Sequence, residues 1–350
     1  MPQRAKTILV QAGSFLLGGG LLYLALRNVD FAALGEALAS ANYWYLVPLV
    51  ALTLGSHVFR AWRWQMLLET LPATDDAQRP VGFKVAFFSL MIGYMVNYAA
   101  PRLGEVARTA NVATRSRLPF SGVFGTVIVE RIVDVLTLAV GILAAVLLMT
   151  EEMATLAPLF EPAAALLREP PVAWSIIITS GLFVTLGLAA LLLAVLRRSA
   201  RSEGLAARVS ATLHSFTSGL ASIFRAPRRV GIVLTTVAIW VCYLFMAYLP
   251  LPMLGITSID LSGAWVLLIV GAVGMSVPSP GGIGSYHYVT IRTLEGLFAV
   301  ATPLATAYAV LSHAAQLVLY AVAGFVCLVL QGSGFSDLRA EIRQRDEAYP

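Results

Sequence analysis

Charged side chains are scarce in this sequence. They make up 12% of its 350 residues, about half of the roughly 25% typical of soluble domains, and this excludes an ordinary soluble globular protein. Cysteine is almost missing. Cys242 and Cys327 stand far apart inside apolar blocks, which excludes a disulfide framework and a Cys-based zinc site. There is no Walker A loop, because neither Gly18-Gly19-Gly20 nor the run from Pro278 to Gly284 has the required spacing followed by Gly-Lys-Ser/Thr. No nucleotide, cofactor, metal or catalytic residue is therefore expected. Apolar surface is abundant: 58% of residues are hydrophobic and mean hydropathy is +0.80, in blocks near the roughly 20 residues that cross hydrocarbon. The fold class is an all-α polytopic integral membrane protein.

The formal net charge is +5, but the basic residues flank apolar blocks instead of forming a patch. That is the positive-inside pattern and argues against nucleic acid as a partner. Arg4 and Lys6 precede an apolar stretch from Ile8 to Leu26 that is too long for a signal peptide, so the expectation is a first span with its N-terminus in the cytosol. Further spans are read at Tyr43 to Glu69, Pro119 to Thr150, Trp174 to Leu196, Val230 to Leu249 and Pro303 to Leu330, giving about six. Glu151, Glu152, Glu161 and Glu169 fall outside, and the arginine-rich, amphipathic linker 197–229 falls in the cytosol. Residues 1–330 form one transmembrane domain, and 331–350 a cytosolic polar tail. The location expected is the inner (cytoplasmic) cell membrane, with both termini cytosolic.

Two segments do not fit as simple spans. Lys84 to Arg117 starts and ends in the cytosol but breaks at Pro101, and its return leg is too polar for lipid. Ser262 to Thr302 starts and ends outside and breaks at Pro278-Ser279-Pro280-Gly281-Gly282. Irregular backbone at membrane depth is tolerated only inside protein or beside a cavity, so both read as helical hairpins entering from opposite faces, with two short crossings each as the alternative that parity leaves open. Span, hairpin, span then occurs twice in opposite orientation. This is the logic of inverted repeats, whose binding sites lie near the midplane at broken helices.

The charged residues inside these segments are the candidate site. Arg102, Glu105 and Arg108 share one face of a helix opened by Pro101, with Asn97 just before the break. They read as forks and N–H groups for a phosphate headgroup, or as ordinary ion pairs. Glu130, Arg131 and Asp134 lie near mid-bilayer. Three unpaired charges there would cost on the order of 8 to 10 kcal/mol, so they must have partners among Arg60, Arg63, Arg102 and Arg108. A purely structural ion network is the alternative. His57, Arg60 and Trp64 share a face of the second span, beside Arg63 and Trp62, and read as a headgroup contact or as an interfacial belt. Gly281, Gly282 and Gly284 can present N–H groups to an anion or simply form a tight turn. His287 follows them, and His313, Gln316 and Tyr320 share a face of the last span, suited to interhelical hydrogen bonds.

Together, the Arg/Trp-rich second span, Asn97 with Pro101-Arg102-x-Gly104-Glu105-x-x-Arg108, Glu130-Arg131-x-x-Asp134 and Pro280-Gly281-Gly282-Ile283-Gly284 resemble the lysylphosphatidylglycerol synthase transmembrane region family. This is also described as the flippase-like domain family, and the resemblance covers nearly the whole chain. It implies a protein that handles lipid headgroups, with Arg102, Glu105, Arg108, Glu130, Arg131 and Asp134 at the family's polar positions. Synthase members carry a soluble transferase domain after the membrane region, whereas only a short polar tail follows Leu330 here. The resemblance therefore implies a transporter and not an enzyme. His287 stands where the family often has Glu.

The leading expectation is a flippase for an anionic phospholipid or polyprenyl-linked lipid, with self-association of the chain left open. The alternatives are an integral-membrane transferase acting on a lipid carrier and an accessory subunit of envelope lipid or glycan synthesis.

Overall fold

The computed structural model describes residues 3–71, 81–99, 103–148, 228–277 and 279–332. Pro101, Arg102, Pro278, the span from Trp174 to Leu196, the acidic stretch, nearly all of the basic linker and the tail from residue 333 lie outside them. All regular structure among the described residues is helical. In chain order the helices are α1 (Gln3–Leu26), α2 (Phe31–Ala39), α3 (Leu46–Leu68), α4 (Phe83–Ala99), α5 (Gly104–Ser116), α6 (Phe120–Leu148), α7 (Arg229–Tyr248), α8 (Leu261–Ser276), α9 (Ser285–Gly296) and α10 (Thr302–Leu330). A turn at Pro250–Met253 extends α7.

Local chemistry sets several of these boundaries. Asp30 caps α2 by accepting from the N–H groups of Ala32 and Ala33, and Asp260 caps α8 through Ser262 and Gly263. α4 stops at Ala99 and α5 begins at Gly104, while α8 stops at Ser276 and α9 begins at Ser285 after a 3-10 turn at Pro280–Gly282. Both breaks therefore fall at the proline-containing segments marked in the sequence. Gly281, Gly282 and Gly284 all have positive φ, which a side chain would resist.

The helices meet at two ends. At one, the Asn42 N–H donates to the Met253 carbonyl, and Leu254, Ile256, Ile259 and Val300 join a single apolar cluster. At the other, Gln65 donates to the Val81 carbonyl, Arg115 to the Gln331 carbonyl, and Arg228 lies 3.5 Å from Glu69. The α4–α5 hairpin starts and finishes at the second end and the α8–α9 hairpin at the first, so their tips point toward each other. They touch where Gly281 backs onto the Tyr98 ring.

Two helices among the described residues, Arg229–Met253 and Thr302–Leu330, are long and apolar enough to cross a membrane, and a third crossing counts if Phe15–Leu26 and Phe31–Ala39, bent by 86°, form one broken span. The six full spans expected are thus not confirmed. In α3, apolar length gives way to charged and polar residues that pack inward, among them His57, Arg60 and Arg63.

Tight backbone crossings hold the hairpins. A Cβ on Gly104 would overlap the Gly93 carbonyl and the Asn97 side chain, and one on Gly284 would overlap the Gly18 carbonyl of α1. Gly35 in α2, by contrast, has open space around it. Gly104→Ala is expected to lower stability by about 1 to 3 kcal/mol through overpacking, and Gly35→Ala to hold or raise it. Thermal unfolding of the purified variants in one detergent checks the contrast.

Candidate functional site

Glu130 and Asp134 lie one turn apart on α6, as do Arg60 and Arg63 on α3, so two charged faces meet. Arg60 places Nη1 2.9 Å from Glu130 Oε1 and Nη2 2.9 Å from Asp134 Oδ2. Arg63 donates to Asp134 Oδ1 at 2.6 Å and to Thr236 Oγ1 of α7 at 3.1 Å. Arg108 of α5 reaches the second Glu130 oxygen at 2.9 Å, and its guanidinium stacks 4.8 Å from the Trp64 ring, whose Nε1 donates to Thr126. Glu130 is fully buried. One carboxylate thereby joins three helices, and each mid-bilayer acid read from the sequence has its arginine partners. Arg60 and Trp64 point into the protein and not to an interfacial belt, while Trp62 is the half-exposed one.

Arg131 differs from the other arginines. Its Nη2 lies 3.3 Å from Glu105 and its Nη1 3.7 Å from Asp134, both long for ion pairs, and its side chain is 43% exposed. Asn97 accepts from the Gly104 N–H at 2.8 Å and approaches Glu105 at 3.5 Å. The α5 start therefore spends its first N–H on Asn97, where the sequence suggested free donors for a headgroup.

These groups border a cavity of about 800 Å³. Of the residues read from the sequence, Arg60, Asn97, Glu105, Arg131, Asp134, Gly281 and Gly282 line it. Arg63, Arg108 and Glu130 sit behind that wall as buried supports. Gly284 does not line it: it is committed to the crossing with Gly18. His287 is also off the wall, because α9 turns it into the protein, with its ring 5.0 Å from that of His313. Arg102 lies outside the described residues.

The sequence reading missed the aromatic part of the wall. Tyr94 and Tyr98 of α4, Trp240 and Tyr243 of α7, and Tyr286 and Tyr308 all face the cavity. His57 packs 4.6 Å from Tyr94 and 4.9 Å from Tyr320. His313, Gln316 and Tyr320 line the cavity too, where interhelical hydrogen bonding was the expectation. The available signal was Tyr94 and Tyr98 at i, i+4 on a helix that stops at a break. No group of three or more potential metal ligands occurs among the described residues.

Glu130→Gln is expected to cost about 3 to 5 kcal/mol, since it leaves buried guanidinium groups without their anion. In an Arg108→Met background the same change should cost less, with a coupling of roughly 0.5 to 3 kcal/mol. Unfolding curves of the four proteins in the cycle give the number.

The chain is similar to "Glycosyltransferase AglD" of Haloferax volcanii, 26% identical over 374 aligned positions that cover 99% of this chain and 58% of that protein. The chain thus spans little more than half the length of this relative. No solved structure matches. The AglD similarity corrects one expectation, that the chain is not an enzyme: a protein named for an enzymatic activity aligns along almost all of it. That expectation rested on the short polar tail read after Leu330, which does not bear on what chemistry the membrane region takes part in. Residues 11–324 match the family described as "Lysylphosphatidylglycerol synthase TM region", and the chain belongs to that family.

Proposed function

We propose that this chain is a flippase-like membrane protein that draws the headgroup of an anionic phospholipid or polyprenyl-linked lipid into the cavity and leaves its tails in the bilayer. One observation carries the reading. Among the described residues the cluster joins four guanidinium groups, of Arg60, Arg63, Arg108 and Arg131, to three carboxylates, of Glu105, Glu130 and Asp134. The surplus is one positive charge, and Arg131, the least engaged member, faces the cavity. A net positive charge at membrane depth, held only by long contacts, is costly, and an anionic headgroup offsets that. Phe15, Val135 and Met275 also line the cavity while remaining exposed, which suits an opening toward acyl or prenyl chains.

The wider arrangement belongs to the same proposal. It comprises six spans and two hairpins in inverted repeats, in the inner cell membrane, with both termini cytosolic. Transport across the bilayer would use the lipid gradient, the membrane potential or protons. A second reading is favoured by the relative's name: a membrane transferase acting on the same lipid carrier. Transfer of a donor sugar to a lipid by the purified chain would place that reading first.

Mass spectrometry of co-purifying lipids tests the headgroup site. Wild-type protein is expected to enrich one anionic lipid class, and Arg131→Ala, shown to be folded by its unfolding curve, to lose the enrichment. An unselective lipid profile in wild type that Arg131→Ala leaves unchanged would overturn the reading.

A further inference from the structure

The cavity wall away from the arginines carries no charged side chain among the described residues. Ser279 and Gly281 of the α8–α9 tip, Tyr286 of α9, and Ser312, His313 and Gln316 of α10 face it there. Tyr286 and Ser312 share a hydrogen bond of 2.9 Å, which fixes one edge. His313 is 5% exposed, yet its Nε2 has no hydrogen-bond partner. A buried nitrogen left unpaired is costly, so a ligand hydroxyl that reached it would be a net gain. Rings connect this wall to the charged one: Tyr98 lies 6.0 Å from Tyr320 and 6.4 Å from His313. From Ser312 to Tyr320, α10 rises about 12 Å, room for a phosphate followed by a ring.

Neutral groups that both donate and accept, set beside aromatic faces, match a hydroxyl-rich ring. Its hydroxyls pair with His, Gln, Ser and Tyr, and its C–H faces pack on the aromatic rings. An amine headgroup would find no carboxylate on this wall, and an apolar group would leave His313 unpaired. We infer that this wall is a carbohydrate or polyol subsite, so that the ligand is a lipid phosphate whose phosphate meets Arg131 and whose ring rests against Tyr286, His313 and Gln316. The inference rests on the headgroup reading above and names its substrate class.

Two probe pairs that differ by the ring provide the test: polyprenyl monophosphate against polyprenyl-phosphate hexose, and phosphatidic acid against phosphatidylinositol. Binding to the purified full chain is measured by native mass spectrometry. In at least one pair the ring-bearing lipid is expected to bind about tenfold more tightly to wild type, and that pair identifies the carrier. The double variant His313→Phe, Gln316→Leu should bring the ratio close to one, whereas Arg131→Ala should weaken both members of the pair. Equal binding within both pairs, or a preference that survives in the folded double variant, overturns the carbohydrate subsite alone. Failure of all four lipids to bind folded wild type overturns the headgroup reading and this inference together.

Discussion

The Glu130 carboxylate is the constraint on which the structure depends. It is fully buried and receives Arg60 from α3 and Arg108 from α5 at 2.9 Å each, so α3, α5 and α6 cannot separate without exposing charge to hydrocarbon. Asp134 extends the hold through Arg60 and Arg63, and Arg63 passes it to α7 through Thr236. In a membrane the hydrophobic effect gives little reason for helix to meet helix. Polar pairing and close backbone packing take over that task, and both operate here. Arg60, Arg63 and Arg108 hold helices through contacts of 2.6 to 2.9 Å, which is why Arg131, with longer contacts and a 43% exposed side chain, stands out.

Close packing supplies the second half of the architecture. Gly93 against Gly104 lets α5 lie along α4 as the return leg of a hairpin, and Gly284 against Gly18 seats the other hairpin on α1. The breaks then sit inside protein, where backbone groups released from the helices find partners such as the Asn97 carboxamide for the Gly104 N–H. A hairpin tip so satisfied can border a cavity without exposing bare peptide to lipid. The two tips meet at Gly281 and Tyr98, and the cavity opens beside that meeting point.

Much of this was legible in the sequence because membrane depth makes polarity expensive. Glu130 and Asp134 could not stand alone, and the sequence offered few cations to meet them, so Arg60, Arg63, Arg102 and Arg108 were readable as candidate partners. Of these, Arg60, Arg63 and Arg108 pair with them, and Arg102 lies outside the described residues. Prolines and glycines at mid-segment likewise announced the hairpin tips. The aromatic wall was not legible for the opposite reason. A tyrosine such as Tyr94 or Tyr243 is tolerated almost anywhere in a bilayer protein, and its position toward cavity or lipid depends on helix rotation, which packing decides. His287 shows the same limit, since a loop with three positive-φ glycines sets a direction for α9 that no periodicity predicts. The count of six spans is not confirmed, since among the described residues two helices are long and apolar enough to cross, or three if the pair bent by 86° after Leu26 is one span.

Transport and transfer make the same first demand on such a cavity. Either a lipid headgroup crosses the bilayer or a group is moved onto its carrier, and in both cases an anion must leave water for a low-dielectric interior without bringing its full desolvation cost. In the proposed reading, the cation surplus held by the carboxylate–guanidinium lattice meets that demand, and Phe15 and Val135, which line the cavity and are exposed, give it an apolar rim. What separates the two activities is whether a second reactant approaches the bound headgroup.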